Sequence, residues 1–201
     1  MELYQAMKKR RSNYNLTSSS PISDSRIREI LSDAITYTPS AFHSQSSRVV
    51  LLLGERHKKF WSLVEDTLRA VVPADKFAPT EAKLASFAAG HGTILYLEDM
   101  PTVEKLQQDF PLYAENFPVW SNQSAGMLQY AVWTALSQEG LGASLQHYSP
   151  LVDAAAAKEF GLPEGWKLLA QMPFGAPSAE PAPIAYKPIE ERLVVQGGEN
   201  T

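Results

Sequence analysis

The chain has 201 residues, 44% hydrophobic and 20% charged, which suits one domain with a sizeable core. Its net charge of −4 argues against non-specific nucleic-acid binding, which needs a basic surface. With no cysteine, disulfides, thiolate metal sites and thiol redox chemistry are excluded, so any redox activity must use a bound cofactor.

Leu3, Ala6 and Met7 mark a short first helix running into Lys8-Lys9-Arg10-Arg11-Ser12. Cations at a helix C-terminus suit its dipole, and adjacent guanidiniums with a hydroxyl also suit a phosphate; composition leaves both readings open. No apolar run follows this cluster and none elsewhere reaches spanning length, so the expectation is a cytoplasmic protein without a membrane partner. Ile27, Ile30, Leu31, Ala34 and Ile35 then keep helical spacing. A polar loop, Tyr37 to Ser47, follows, suited to hydrogen-bonding a heterocycle or simply to solvation.

Arg48-Val49-Val50-Leu51-Leu52-Leu53 reads as a strand interior to a sheet, ended by Gly54. His57, Phe60, Trp61, Val64, Leu68 and Val71 give another amphipathic helix, and Thr80 to Ala89 a shorter one containing Lys83. A second apolar strand spans Thr93 to Glu98, and Pro101 opens a helix that runs to Phe110. The stretch Phe110 to Trp120 reads as a lid or an irregular loop over the core. A long helix from Asn122 to Gln138 is apolar on nearly every side and is expected to be buried all round. Gly140 and Gly142 end it, and Gly142 to Tyr148 reads as a short strand. A helix over Asp153–Phe160 and a strand from Trp166 to Met172 follow, then a proline-rich tether and a last strand over Lys187 to Val195. One domain over residues 1–196 is expected, with a frayed tail at 197–201. An extended arm after a tether usually pairs with a partner's sheet edge, which predicts a homodimer.

No GxGxxG, P-loop or GxSxG motif is present, and the four histidines lack metal-site spacing. What remains is a set of separated polar clusters. Arg10-Arg11-Ser12, Pro39-Ser40-Ala41-Phe42-His43-Ser44-Gln45-Ser46, Gly92 to Asp99, Gly140 to Tyr148 and Lys187-Pro188-Ile189-Glu190-Glu191 together resemble the nitroreductase family. Within it they resemble the branch related to the fatty-acid-repression proteins.

The resemblance implies an α+β fold, a central antiparallel or mixed sheet wrapped by helices, with the C-terminal arm exchanged in a homodimer that binds FMN at its interface. It implies that Arg10, Ser12 and Lys187 hold the FMN phosphate, with Arg11 beside them among the cofactor-binding residues, and that Ser40, Ala41 and His43 belong to a loop reaching the flavin from the other subunit, with Gln45 in the same loop. Leu145, Gln146 and His147 match the strand that approaches the ring, and Lys83 stands near a cation at its N1/O2 edge. His43 stands where many relatives have Asn, and Tyr14 where many have a second basic residue. The implied activity is ping-pong: NADH or NADPH reduces the flavin, then a small-molecule acceptor, a nitroaromatic or quinone, takes the electrons. Tyr148, Phe117 and Trp120 are candidates for shaping the acceptor side. A flavin-binding sensor with little turnover and a cofactor-free dimeric scaffold are the alternative readings.

Overall fold

The computed structural model describes residues 3–198. In chain order the elements are α1 (Leu3–Lys9), β1 (Leu16–Thr17), α2 (Asp24–Tyr37), β2 (Ser47–Leu53), α3 (Glu55–Arg69) and α4 (Ala78–Ala88). They continue with β3 (Gly92–Asp99), α5 (Met100–Asp109), α6 (Phe117–Gln138), β4 (Gly142–Ala143), α7 (Asp153–Phe160) and β5 (Trp166–Pro177). The strands pair antiparallel in the order β1-β5-β3-β2, with β4 added to β5. This is an α+β fold.

Strand β3 is central and buried on both faces, so its alternate side chains serve two cores. Ile94 and Tyr96 join Ile27, Ile30, Leu128 and Val132 from α2 and α6. Leu95 and Leu97 join Phe60, Trp61, Leu84 and Phe87 from α3 and α4. Helix α2 starts where Ser23 accepts a bond from Arg26 N, a side-chain N-cap. Helix α7 ends at Gly161 in the left-handed conformation, a geometry that costs glycine nothing.

Five expectations change. Strand β2 lies at the sheet edge rather than inside it; its apolar run reflects helices covering both faces, not strands on both sides. Helix α6 has 22 residues and begins at Phe117, with Pro118 in its first turn, so part of the expected lid is helix. It is not buried all round, because Met127 and Tyr130 are 45% and 40% exposed on the flank away from the sheet. The strand expected over Lys187 to Val195 is absent: Ile189–Glu191 form a 3-10 turn and the rest is exposed, since this part of the chain pairs with no described strand. The segment after Gly142 is a two-residue strand plus an isolated bridge from Gln146 to Gln171. Of the expected frayed tail, Gly197 and Gly198 are exposed and 199–201 lie outside the described residues.

Candidate functional site

The basic cluster leaves α1 as an extended segment laid along β4. Ser12 bridges Ala143 in parallel register, and Asn13 N donates to Ala143 O at 2.9 Å. The approach is close at Gly142, where an added Cβ would lie 3.1–3.2 Å from side-chain atoms of Leu16 and Asn13. Arg10 turns onto α6, its guanidinium carbon 4.3 Å from the ring centroid of Trp133, and its Nε is buried without a partner. Asn13 is buried and fastens the arm, donating from Nδ2 to Ala179 O at 2.9 Å, while Arg11 donates to Ala182 O at 2.5 Å. Arg10, Arg11, Ser12, Tyr14 and the arm residues Pro181 to Ile184 enclose a hollow of about 420 Å³.

Beyond Ala143 the chain alternates. The N–H groups of Ser144 and Gln146 bond to Pro173 O and Gln171 O on β5, and that of Tyr148 bonds to the Gln171 side chain at 2.9 Å. Those of Leu145 and His147 have no partner among the described residues, so by alternation they face away from the sheet. Gln146 is therefore tied into the sheet by its backbone, and its side chain donates to Ser144 Oγ at 3.1 Å. Leu145 and His147 carry the two open donors.

Lys83 joins this region through Phe87. Its Nζ lies 5.8 Å from the Phe87 centroid, and the same ring meets Tyr14 at 6.1 Å. Tyr148 stands close enough to Tyr14 for their charges to interact, and burial chiefly raises its pKa above the usual phenol value. Arg10, Arg11, Ser12 and Tyr14 thus share one hollow, and the Phe87 ring links Tyr14 to Lys83.

Ser40, Ala41, His43 and Gln45 lie elsewhere. Phe42, His43 and Gln45 all have positive φ, and the bend is held by Gln45 N donating to Ser40 Oγ at 3.0 Å. Phe42 anchors the loop among Phe110, Tyr113, Phe117 and Trp120, with centroids 4.9–6.1 Å apart. These contacts sit near the start of α6, whereas Arg10 lies over Tyr130 and Trp133. Ten to sixteen residues of helix separate them, roughly 15–25 Å. Within one chain the loop does not meet the basic cluster. Lys187 is exposed on the arm, three residues past Ile184 and so within about 10 Å of it.

Asn13 and Gln171 do structural work at the site that sequence reasoning missed. The signal for Gln171 was an amide inside the apolar strand Leu168-Leu169-Ala170-Gln171-Met172. Asn13 had no comparable signal, since its polar neighbours mask it.

The sequence model of the Nitroreductase family matches residues 7–176. HBN1 of Saccharomyces cerevisiae is 38% identical over 160 residues, covering 80% of this chain and 79% of that protein. The nitroreductase FRM2 of the same yeast is 33% identical over 178 residues, 88% of each. The nitroreductase CinD from Lactococcus lactis, solved in complex with nicotinic acid, superposes with a TM-score of 0.91 at 40% identity, over 98% of this chain and 100% of that one. The same protein was also solved with 4-nitrophenol. A protein from Desulfovibrio desulfuricans solved in complex with FMN shares the fold at a TM-score of 0.73 and 20% identity, over 99% of both chains. With a matching family model over most of the chain, and relatives that agree along its length, the chain belongs to the nitroreductase family of oxidoreductases.

Proposed function

We propose that the protein binds FMN and moves electrons from NADH or NADPH to nitroaromatic or quinone acceptors, donor and acceptor using one open face in turn. The observation that carries this reading is the chemistry that the fold gathers around β4. Guanidiniums and a hydroxyl line one hollow, open backbone donors lie on the segment after the Ala143 that Ser12 bridges, and Lys83 meets the Phe87 ring that also touches Tyr14. That sequence suits a phosphate, then a flat heterocycle, then a ring edge that carries negative charge. Arg10 and Arg11 line one hollow with Ser12, where an anion would satisfy guanidinium and hydroxyl donors. Bound FMN supplies the electron chemistry. The chain's own groups bind and orient: Arg10, Arg11 and Ser12 hold the phosphate, and Leu145 and His147 offer N–H groups to the ring. Lys83 stabilises charge at the edge. The 4-nitrophenol complex of the L. lactis relative supports a nitroaromatic as one acceptor class.

The same proposal includes a homodimer. Leu193, Val194 and Val195 are 58%, 80% and 76% exposed on an arm with no strand partner among the described residues. Strand β2 has a free edge, flanked by a hollow of about 530 Å³ lined by Leu31, Ile35, Val49, Leu51 and Leu53. An apolar arm and an apolar edge in one molecule are mutually satisfied by exchange between two copies. The exchange would let Ser40, Ala41, His43 and Gln45 serve the other copy's flavin, and would bring Lys187 to a phosphate.

The test is a visible spectrum of purified protein, followed by anaerobic addition of NADH and NADPH separately. A flavin spectrum that bleaches with either donor and recovers with 4-nitrophenol or a quinone is the expected result. A bound flavin that neither donor bleaches would leave a sensor instead. A colourless protein that also ignores added FMN would refute the reading.

A further inference from the structure

Behind the Lys83 side of the surface runs a hydrogen-bonded chain that the proposed function leaves unused. His57 and Trp61 lie about one turn apart on α3, and both meet Thr93 on β3. His57 Nδ1 is 2.8 Å from the Thr93 hydroxyl, and Trp61 Nε1 is 2.8 Å from it. His57 Nε2 lies 3.1 Å from the carbonyl of Ala88, at the end of α4. A carbonyl only accepts, so Nε2 carries the proton and Nδ1 is bare. Thr93 therefore donates to Nδ1 and accepts from the indole. Every N–H and O–H donor of the three side chains is thereby bonded, and none of the three is more than 1% exposed.

Trp61 is the link to the site. Its ring meets Phe87 at 4.8 Å and Tyr148 at 5.9 Å. Phe87 in turn meets Tyr14 at 6.1 Å and underlies Lys83 Nζ at 5.8 Å. Trp61 and Phe87 thus form the floor on which Lys83, Tyr14 and Tyr148 stand. Packing alone holds an aromatic ring with little directional preference. Here two directional bonds through one hydroxyl, and a third to backbone, fix the indole relative to the sheet and to the end of Lys83's own helix.

We propose that the chain His57–Thr93–Trp61 is a positioning device that sets where Lys83, Tyr14 and Tyr148 stand against the flavin, and so how differently the protein binds the oxidised and reduced forms. This rests on the flavin reading above. No member of the chain touches the flavin in this proposal; each acts through the floor.

Thr93→Val keeps the side-chain shape and removes both bonds to the hydroxyl, while Thr93→Ser keeps them. The readout is the midpoint potential of flavin bound to each full-length protein, measured by reductive titration against free FMN. That difference reports the ratio of affinities for the two redox forms. Mutations in coupled networks shift interaction energies enough to change such a ratio roughly 3- to 30-fold. For a two-electron couple this is roughly 15–45 mV. The expected result is a shift of that order in Thr93→Val, a wild-type potential in Thr93→Ser, and a smaller shift when Thr93→Val is made in a Lys83→Met background. A wild-type potential in folded Thr93→Val overturns the proposal. Should Thr93→Val not fold, Trp61→Phe takes its place, and a wild-type potential there overturns the proposal equally. A wild-type protein that binds no FMN refutes the flavin reading, and this proposal with it.

Discussion

Arg10 and Trp133 form a cation–π pair, guanidinium carbon to ring centroid 4.3 Å, in which the Arg10 Nε and the Trp133 Nε1 are both buried without hydrogen-bond partners among the described residues. The indole holds the guanidinium against α6, and Arg10 lines the hollow beside Arg11 and Ser12. Lysine cannot reproduce a planar fork at that position. Arg10→Lys is expected to weaken FMN binding roughly tenfold to a hundredfold, the range for losing a charge-assisted hydrogen bond. Fluorescence titration of the apoprotein checks it, and an unchanged Kd would remove Arg10 from the phosphate site.

His57 makes stability depend on acid. Burial chiefly holds its pKa down, from 6.5 to about 4, with the bond to Ala88 opposing. The folded state keeps the ring neutral while the unfolded chain takes up a proton below 6.5. The contribution to stability is therefore complete above pH 6.5 and is lost as pH falls towards 4. The slope is about 1.4 kcal/mol per pH unit, about 3 kcal/mol in all. Urea unfolding of wild type and His57→Gln across pH 4–7.5 should give curves that converge in acid. Parallel curves would show that His57 titrates normally.

Glu98 predicts the opposite sign. It is 1% exposed, and neither carboxylate oxygen has a hydrogen bond of good geometry. Burial raises its pKa, with Ser46 and the charge of Arg48 offsetting only part. The folded state thus holds the proton more tightly than the unfolded chain, and stability falls as pH rises from the ordinary carboxyl value through the raised one. Glu98→Gln should unfold at a higher urea concentration than wild type at pH 7, and the advantage should vanish below about pH 4.

Gly175 is set by contact rather than by backbone angle. A Cβ there would overlap Thr17 O and lie 3.0 Å from His91 N, both backbone atoms that cannot swing away. Gly175→Ala should therefore cost about 2 kcal/mol or more. For a chain of this size that lowers Tm by roughly 4–8 °C, readable by calorimetry. A Tm within a degree of wild type would mean that β1 moves freely off β5.

The arm supplies the test of assembly. Replacing Leu193 and Val195 by Asp should produce monomers by sedimentation equilibrium, with weakened FMN binding, because both the paired edge and the opposite loop would be lost. A protein that stays dimeric would show that the arm does not hold the copies together.

The helices were legible in the sequence because amphipathic spacing is local: Ile27, Ile30 and Leu31 on α2, and His57, Phe60, Trp61, Val64 and Leu68 on α3, are buried as their period requires, whereas Ile35 near the end of α2 and Val71 beyond the end of α3 are exposed. Strand β3 was legible as an apolar run, but an apolar run reports covered faces and not the number of strand neighbours. The edge position of β2 was therefore hidden. The arm read as a strand because its residues favour one, yet strand hydrogen bonds need a second backbone, and none of the described residues supplies it.

For the site, the sequence by itself determined the chemistry on offer: adjacent guanidiniums, a hydroxyl, a polar loop, a lysine on a short helix, and no thiol. Tertiary structure decided which groups meet. It laid Ser12 along Ala143, set Lys83 and Tyr14 both against the Phe87 ring, turned the N–H groups of Leu145 and His147 outward, and kept His43 and Gln45 on a separate loop. The reason is physical. Side-chain chemistry is a property of each residue, whereas the direction of an N–H group and the neighbour of a ring depend on which strands pair and in what register.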